Sequence, residues 1–331
     1  MLAALRRGAP VAFLFILAPL VAEYLLGDFA VTQLDPLPVM ALLYGSGAIV
    51  IRELARHTGR GWPAIFVLGF AYGLLEEGLA TQSLFNPNFL GLRLLDYGYI
   101  PFLGIGAPWT VLVLTLHPVW SIGVPIAVAE LTFPSRRTEP WMGRIGLVWF
   151  TLLCILGMSL IGNFMAAQQH FTASVLQRAS SAVLALAAII AAFFLPARPA
   201  PLPAAAPNPW LLGSVALLAG SAVQIIAKYT IESKTIPAAL IVLGVLALEA
   251  AVILYFTRSA RKQGWSNLHR FALAAGGMLV YCWWGFVNQA SLLGPDHWLS
   301  HAVLVAAALL LLFLIWRQAA IRGGASAPHT P

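Results

Sequence analysis

Residues 62–82 read WPAIFVLGFAYGLLEEGLATQ. From Trp62 to Leu75 no side chain is charged, and the run then closes on two adjacent acids, Glu76 and Glu77. Up to Ala80 the stretch is close to the roughly 20 apolar residues that cross a bilayer as a helix. Nine more runs of this kind lie near residues 9–27, 37–52, 108–130, 144–166, 175–195, 210–228, 236–256, 270–290 and 299–316. Arg6 and Arg7 precede the first run as they would in a signal peptide. Glu23 interrupts it, however, and no small-residue cleavage site follows, so it reads as a retained span.

Composition leads to the same class. The chain has 331 residues, 60% hydrophobic and 9% charged, against about 25% charged in a soluble domain. So few charges cannot cover a water-facing surface, which excludes a soluble enzyme, and disorder is excluded because disordered chains are polar. The expected fold is all-α: a polytopic transmembrane helical bundle of about ten spans. Cys154 and Cys282 fall in apolar runs and form neither a disulfide framework nor a metal-ligand spacing.

With the N-terminus cytoplasmic, alternation of the ten spans places 15 of the 19 Lys and Arg in inner segments and 4 in outer ones. Basic loops stay inside, so both termini are expected in the cytoplasm and the protein in the cell's plasma (inner) membrane. The net charge of +7 then reflects topology, and no nucleic-acid partner is expected. Residues 196–209, PARPAPLPAAAPNP, read as a semi-rigid linker. They divide the chain into a six-span bundle (1–195) and a four-span bundle (210–317), with a disordered tail at 318–331.

Charged groups inside a bilayer are costly and usually face a protein interior or a wet cavity. Glu23, Glu76 and Glu77 all fall near the outer ends of their spans, at similar depth. Successive helical residues point about 100° apart, so the reading has one carboxylate of the Glu76/Glu77 pair facing a cavity while the other holds a neighbouring helix. Gly69, Tyr72, Gly73, Glu76 and Ala80 form one stripe. His117 is the deepest titratable residue, and Ser121, four residues later, shares its face. Asn163 and His170 approach the outer surface at the end of the fifth span. Glu130 and Glu249 are further intramembrane acids. The connection 81–107 is too apolar for a hydrated loop. Phe85, Phe89, Leu90, Leu94, Leu95, Tyr97 and Tyr99 suggest an interfacial or re-entrant segment, placed to roof a polar pocket.

No CxxC, HExxH, phosphate-binding glycine loop or GxSxG occurs. A Glu-Glu pair at a membrane helix end, followed by histidines on later segments, resembles the CAAX protease and bacteriocin-processing family of intramembrane endopeptidases. That family shows EExxxR, FxxxH and then HxxxN or HxxxD. The matching residues are Glu76 and Glu77, then His117, then His170, over about residues 62–175. Thr81 stands in place of the arginine, Val113 in place of the phenylalanine and Ser174 in place of the last asparagine. The resemblance implies a catalytic set of Glu76, Glu77 and His117. In that set a glutamate is the general base on water and His117 stabilises the oxyanion, in a metal-independent or metal-assisted endopeptidase.

Glu23, Ser121, Asn163 and His170 would contact the substrate. No metal ligand set is assigned, no cofactor is named by any motif, and the oligomeric state is not encoded. Membrane lipid surrounds the chain, and a membrane peptide or small molecule is the expected substrate. Two other functions fit the same residues. One is a transporter or lipid-handling protein using the glutamates for an ion, proton or headgroup; the other is a non-catalytic membrane subunit.

Overall fold

With no water in the hydrocarbon core, every backbone N–H and C=O must be paired within the chain, and a helix does this segment by segment. The computed structural model describes residues 2–197 and 200–324, with the side chains of 2–7, 229–233 and 320–324 outside the description. Among the described residues ten helices are long and apolar enough to span a membrane: α1 (Gly8–Leu25), α2 (Leu37–His57), α3 (Trp62–Ala80), α4 (Ala107–Thr132), α5 (Arg144–Gln169), α6 (Val175–Phe194), α7 (Pro209–Lys228), α8 (Ala238–Ser259), α9 (Asn267–Leu292) and α10 (Pro295–Ala319).

Helices α2, α3, α4 and α9 are the inner ones, with 61–67% of their span residues buried. Helices α5 to α8 are 6–17% buried and present Leu, Ile, Val and Phe outward, as lipid-facing helices do. The 196–209 division separates chain segments but not packing layers. Leu17, Val21 and Leu25 of α1, Trp120 and Val124 of α4, and Phe271, Met278 and Tyr281 of α9 share one core cluster. Trp120 stacks on Tyr281 with ring centroids 5.0 Å apart and donates its Nε1–H to the Gly277 carbonyl at 2.8 Å.

Three segments differ from the sequence reading. In the Pro/Ala-rich stretch, Leu202–Ala205 forms β3, paired in parallel with β4 (Lys262–Gln263); residues 198–199 lie outside the described residues. The last helix continues to Gly324, because the residues after Trp316 keep helix-compatible composition. The expected tail therefore shrinks to 325–331, which lie outside the described residues. Helix α2 extends to His57 instead of ending near 52. Arg52 is thus fully buried, since Glu53 and Glu130 supply it with buried counter-charges.

The 81–106 connection folds back onto the bundle. Phe85, Phe89, Leu94, Leu95 and Tyr97 are buried, while Leu90 and Tyr99 are exposed. Leu84 and Phe85 pack with Val113 of α4 and Ala173, which gives these apolar side chains a protein surface to cover instead of a headgroup layer. A short hairpin, β1 (Tyr99–Ile100) and β2 (Ile105–Gly106), leads into α4.

Beyond α1 the chain turns at Gly27, whose φ of +98° suits glycine. Asp28 then accepts a 2.6 Å hydrogen bond from the Asn288 amide of α9. Burial pushes the Asp28 carboxyl up to about 6, even though the Asn288 bond acts the other way. The folded state therefore holds this proton more tightly than the unfolded chain. Its stabilising contribution is present at low pH and is lost as the pH rises from about 4 through about 6. The expected loss is no more than about 3 kcal/mol. Thermal unfolding in detergent micelles across pH 4–7 should show this slope, and Asp28→Asn should flatten it; an unchanged slope in the variant would remove Asp28 as its source.

Candidate functional site

Four spans that carry the polar residues are locally widened. Leu20–Leu25 in α1, Ala41–Gly45 in α2, Glu76–Ala80 in α3 and His117–Gly123 in α4 each form a π-helical turn. The widening shows in i to i+5 bonds such as Thr81 N–H to the Glu76 carbonyl at 2.8 Å and Asp28 N–H to the Glu23 carbonyl at 2.9 Å. Such turns give up regular hydrogen bonding and are frequent at functional sites. Glu23, Tyr44, the Glu76/Glu77 pair and His117 with Ser121 each sit on one of them. In α4, Pro118 contributes to the irregularity because it has no N–H to give the helix.

The imidazole of His117 lies between the two carboxylates. Its Nε2 is 2.9 Å from Glu77 Oε1, and its Nδ1 is 3.3 Å from Glu76 Oε2. The adjacent glutamates do point apart, Glu76 toward Tyr44 and Glu77 toward Thr81 and Ser83, but both also meet one ring. The ring presents a nitrogen on each side, and one residue from the neighbouring helix meets both. Gly73 makes the approach possible, since a Cβ there would lie 3.1–3.3 Å from the His117 side chain. Tyr44 stacks on the ring with centroids 6.3 Å apart, and Tyr72 meets it edge-on at 5.9 Å.

The two carboxylates are held differently. Glu77 Oε2 accepts from the Thr81 hydroxyl at 2.9 Å and from the Ser83 hydroxyl. Ser83 in turn receives the Trp109 Nε1–H at 3.2 Å. Both oxygens of Glu77 are therefore occupied. Glu76 Oε1 accepts from the Tyr44 hydroxyl at 2.5 Å, whereas Oε2 has no hydrogen-bond partner. Ser121 Oγ lies 3.3 Å from His117 Nδ1. Glu76, Glu77 and His117 are 2%, 9% and 5% exposed, so the cluster is closed in this conformation. Glu23 is half-buried and faces Asp28, Tyr44 and the Glu76/Glu77 pair.

Two expected members stand apart. Asn163 is exposed and donates to the Ser159 carbonyl of its own helix at 2.8 Å. His170 is exposed at the left-handed residue that ends α5, so the third motif of the family resemblance has no place beside the carboxylates. Tyr44, Thr81, Ser83 and Trp109 were missed by the sequence reading. Thr81 and Ser83 directly follow the glutamates and were findable as short-range hydroxyl donors, but Tyr44 and Trp109 arrive through tertiary packing. Among the described residues no group of three or more His, Cys, Asp or Glu is arranged to hold a metal ion.

Gly73 offers a direct test of the geometry. Gly73→Leu should push the imidazole out from between the carboxylates and destabilise the bundle by about 1–3 kcal/mol, the usual cost of overpacking. A variant as stable as the native protein, with an unchanged histidine NMR signal, would show that the contact is loose.

A family model described as an uncharacterized membrane protein family matches residues 12–320. No curated protein and no solved structure matches the chain.

Proposed function

Since the chain belongs to an uncharacterized membrane protein family, we propose its function from the site itself: an intramembrane hydrolase that cleaves an amide bond of a membrane-embedded peptide. The observation that carries this reading is the single imidazole bonded to a saturated carboxylate on one side and facing the free oxygen of a second carboxylate on the other. An acid–base site needs such a difference between two like groups, one fixed and one able to exchange a proton.

In this mechanism Glu77 orients His117 through Nε2–H. Glu76 Oε2 takes a proton from a water whose oxygen bonds to the carbonyl carbon. His117 donates from Nδ1 to the developing oxyanion. Glu76 then passes its proton to the leaving amine as the carbon–nitrogen bond breaks. Access requires the 81–106 connection to move, because it tethers Glu77 through Thr81 and Ser83. The distribution of basic residues supports an orientation with both termini in the cytoplasm and this site toward the outer face of the plasma membrane.

A carrier would need a polar path through the other half of the bundle. Between His117 and the charged groups at the basic end lie Ile49, Ile65, Leu68, Ile122 and Ile126, all buried in one apolar cluster. This layer favours the hydrolase over a route for ions.

The test is hydrolysis by liposome-reconstituted protein of a library of apolar peptides that reach the outer leaflet. Running the reaction in oxygen-18 water should place one heavy oxygen in each new carboxylate. Cleavage that persists undiminished in both Glu76→Gln and Glu77→Gln would sink the proposal.

A further inference from the structure

The ends of three spans meet on the basic side of the bundle. Leu131 and Pro134 from the end of α4, Asn267 from the start of α9, and Gln318 and Ala319 from the end of α10 line a shallow, open groove. Two guanidinium groups converge on one oxygen at its wall. Arg137 donates through Nη1 to Asn267 Oδ1, and Arg270 donates through Nη1 to the same oxygen at 3.4 Å. Like charges held this close repel unless an anion lies nearby.

Among the described residues, the charged groups acting on Arg270 are Arg137, Arg56 and a single acid, Glu130. Glu130 is already engaged. Arg56 bonds both of its oxygens at 2.8 Å, and Arg52 Nε reaches Oε1 at 3.1 Å. The position of Arg137 is fixed as well, since Arg52 Nη2 donates to the carbonyls of Arg136, Arg137 and Glu139 at 3.0–3.1 Å. The arginine pair is thus built into the fold and half-buried, and among the described residues the one acid acting on Arg270 is already bonded to Arg52 and Arg56.

We propose that Arg137 and Arg270, with the groove between the ends of α4, α9 and α10, form a binding site for a phosphate group, occupied by the headgroup of an anionic phospholipid. Arginine matches phosphate through two parallel N–H donors. The groove lies at the level of three span ends, where the headgroups of the adjoining leaflet lie, and basic pockets between helices on the cytoplasmic side bind such lipids. The apolar residue Leu131 at its wall suits the first carbons of the acyl chains. This site lies at the opposite end of the bundle from the glutamate–histidine cluster and does not depend on its function.

Native mass spectrometry of the full chain, released from micelles carrying either phosphatidylglycerol or phosphatidylcholine, provides the test. The native protein should retain one phosphatidylglycerol and no phosphatidylcholine. Arg137→Gln/Arg270→Gln should weaken that retention roughly tenfold or more, as expected for two lost basic contacts. Arg137→Lys/Arg270→Lys, which keeps the charge and guards against misfolding, should fall in between. Equal retention of the two lipids by the native protein, or native retention of phosphatidylglycerol by the glutamine variant, would overturn the site. Displacement of the lipid by millimolar inorganic phosphate would overturn the lipid and leave a free phosphate ion as the occupant.

Discussion

Arg52→Ala is expected to lower the stability of the bundle by about 3–5 kcal/mol, the usual cost of stranding the partner of a buried ion pair. Arg52 is fully buried. Its Nη1 donates to Glu53 at 2.5 Å and its Nε to Glu130 at 3.1 Å, while Nη2 serves three backbone carbonyls of residues 136–139. The guanidinium also lies 3.4 Å from the centroid of the Trp141 ring. Glu53 completes the arrangement by accepting from Trp141 N–H at 2.9 Å and Met142 N–H at 3.2 Å. One side chain therefore ties the connection between α4 and α5 to the end of α2.

Truncation leaves the Glu53 carboxylate without its arginine, with only His57 Nε2 at 3.8 Å as a basic neighbour among the described residues, and the carbonyls without a donor, inside protein where water cannot replace them. Arg52→Lys should rescue little, because an ammonium cannot reach two acids and three carbonyls from one planar fork. Chemical unfolding in mixed micelles measures the loss, and limited proteolysis at 133–143 should report the freed connection. A variant within about 1 kcal/mol of the native protein would mean that the cluster nearly balances its own desolvation cost.

The same residue shows where sequence reading reaches its limit. A charge in an apolar run reads as the end of a span, because an isolated charge in lipid is too costly to bury. Arg52 is buried only because Glu130, far along the chain on α4, and Glu53 face it, and that pairing is a property of tertiary structure. The apolar runs themselves were legible, since backbone satisfaction in lipid leaves a helix as the only choice. Glu76, Glu77 and His117 were legible for the related reason that a polar group at such depth needs a protein partner. Ser121 followed from helical spacing alone.

The arrangement of those groups was not legible. Regular helical geometry separates neighbouring side chains by about 100°. It gave no hint that the ring of His117 would enter between Glu76 and Glu77, because that depends on a widened turn in α3 and on the missing side chain at Gly73. Asn163 and His170 were assigned by depth, and depth does not tell which face of α5 turns to lipid.

The second large effect concerns the reaction. Glu76→Gln is expected to slow peptide hydrolysis by about 10²–10⁴-fold, the usual contribution of a general base. Glutamine can still accept from the Tyr44 hydroxyl through its amide oxygen, so the packing survives while the unpartnered oxygen that would receive the proton becomes an amide. His117→Ala should cost as much by removing both the oxyanion donor and the group that spaces the two carboxylates. Combining the two substitutions should add little to either alone, because residues acting as one unit are not additive. Glu77→Gln separates positioning from chemistry. Its one amide oxygen can still accept from His117 Nε2–H, while the other position becomes an NH2 facing the Thr81 and Ser83 hydroxyls, which can turn to accept from it; what is lost is the charge that steadies the imidazole. Its effect should therefore fall on kcat more than on KM, and be smaller than that of Glu76→Gln. The comparison is made at matched folded fractions, each variant being checked by thermal unfolding. A Glu76→Gln enzyme that keeps the native rate would move the general base to Glu77, and native rates in all three variants would leave the cluster as a structural joint between α2, α3 and α4.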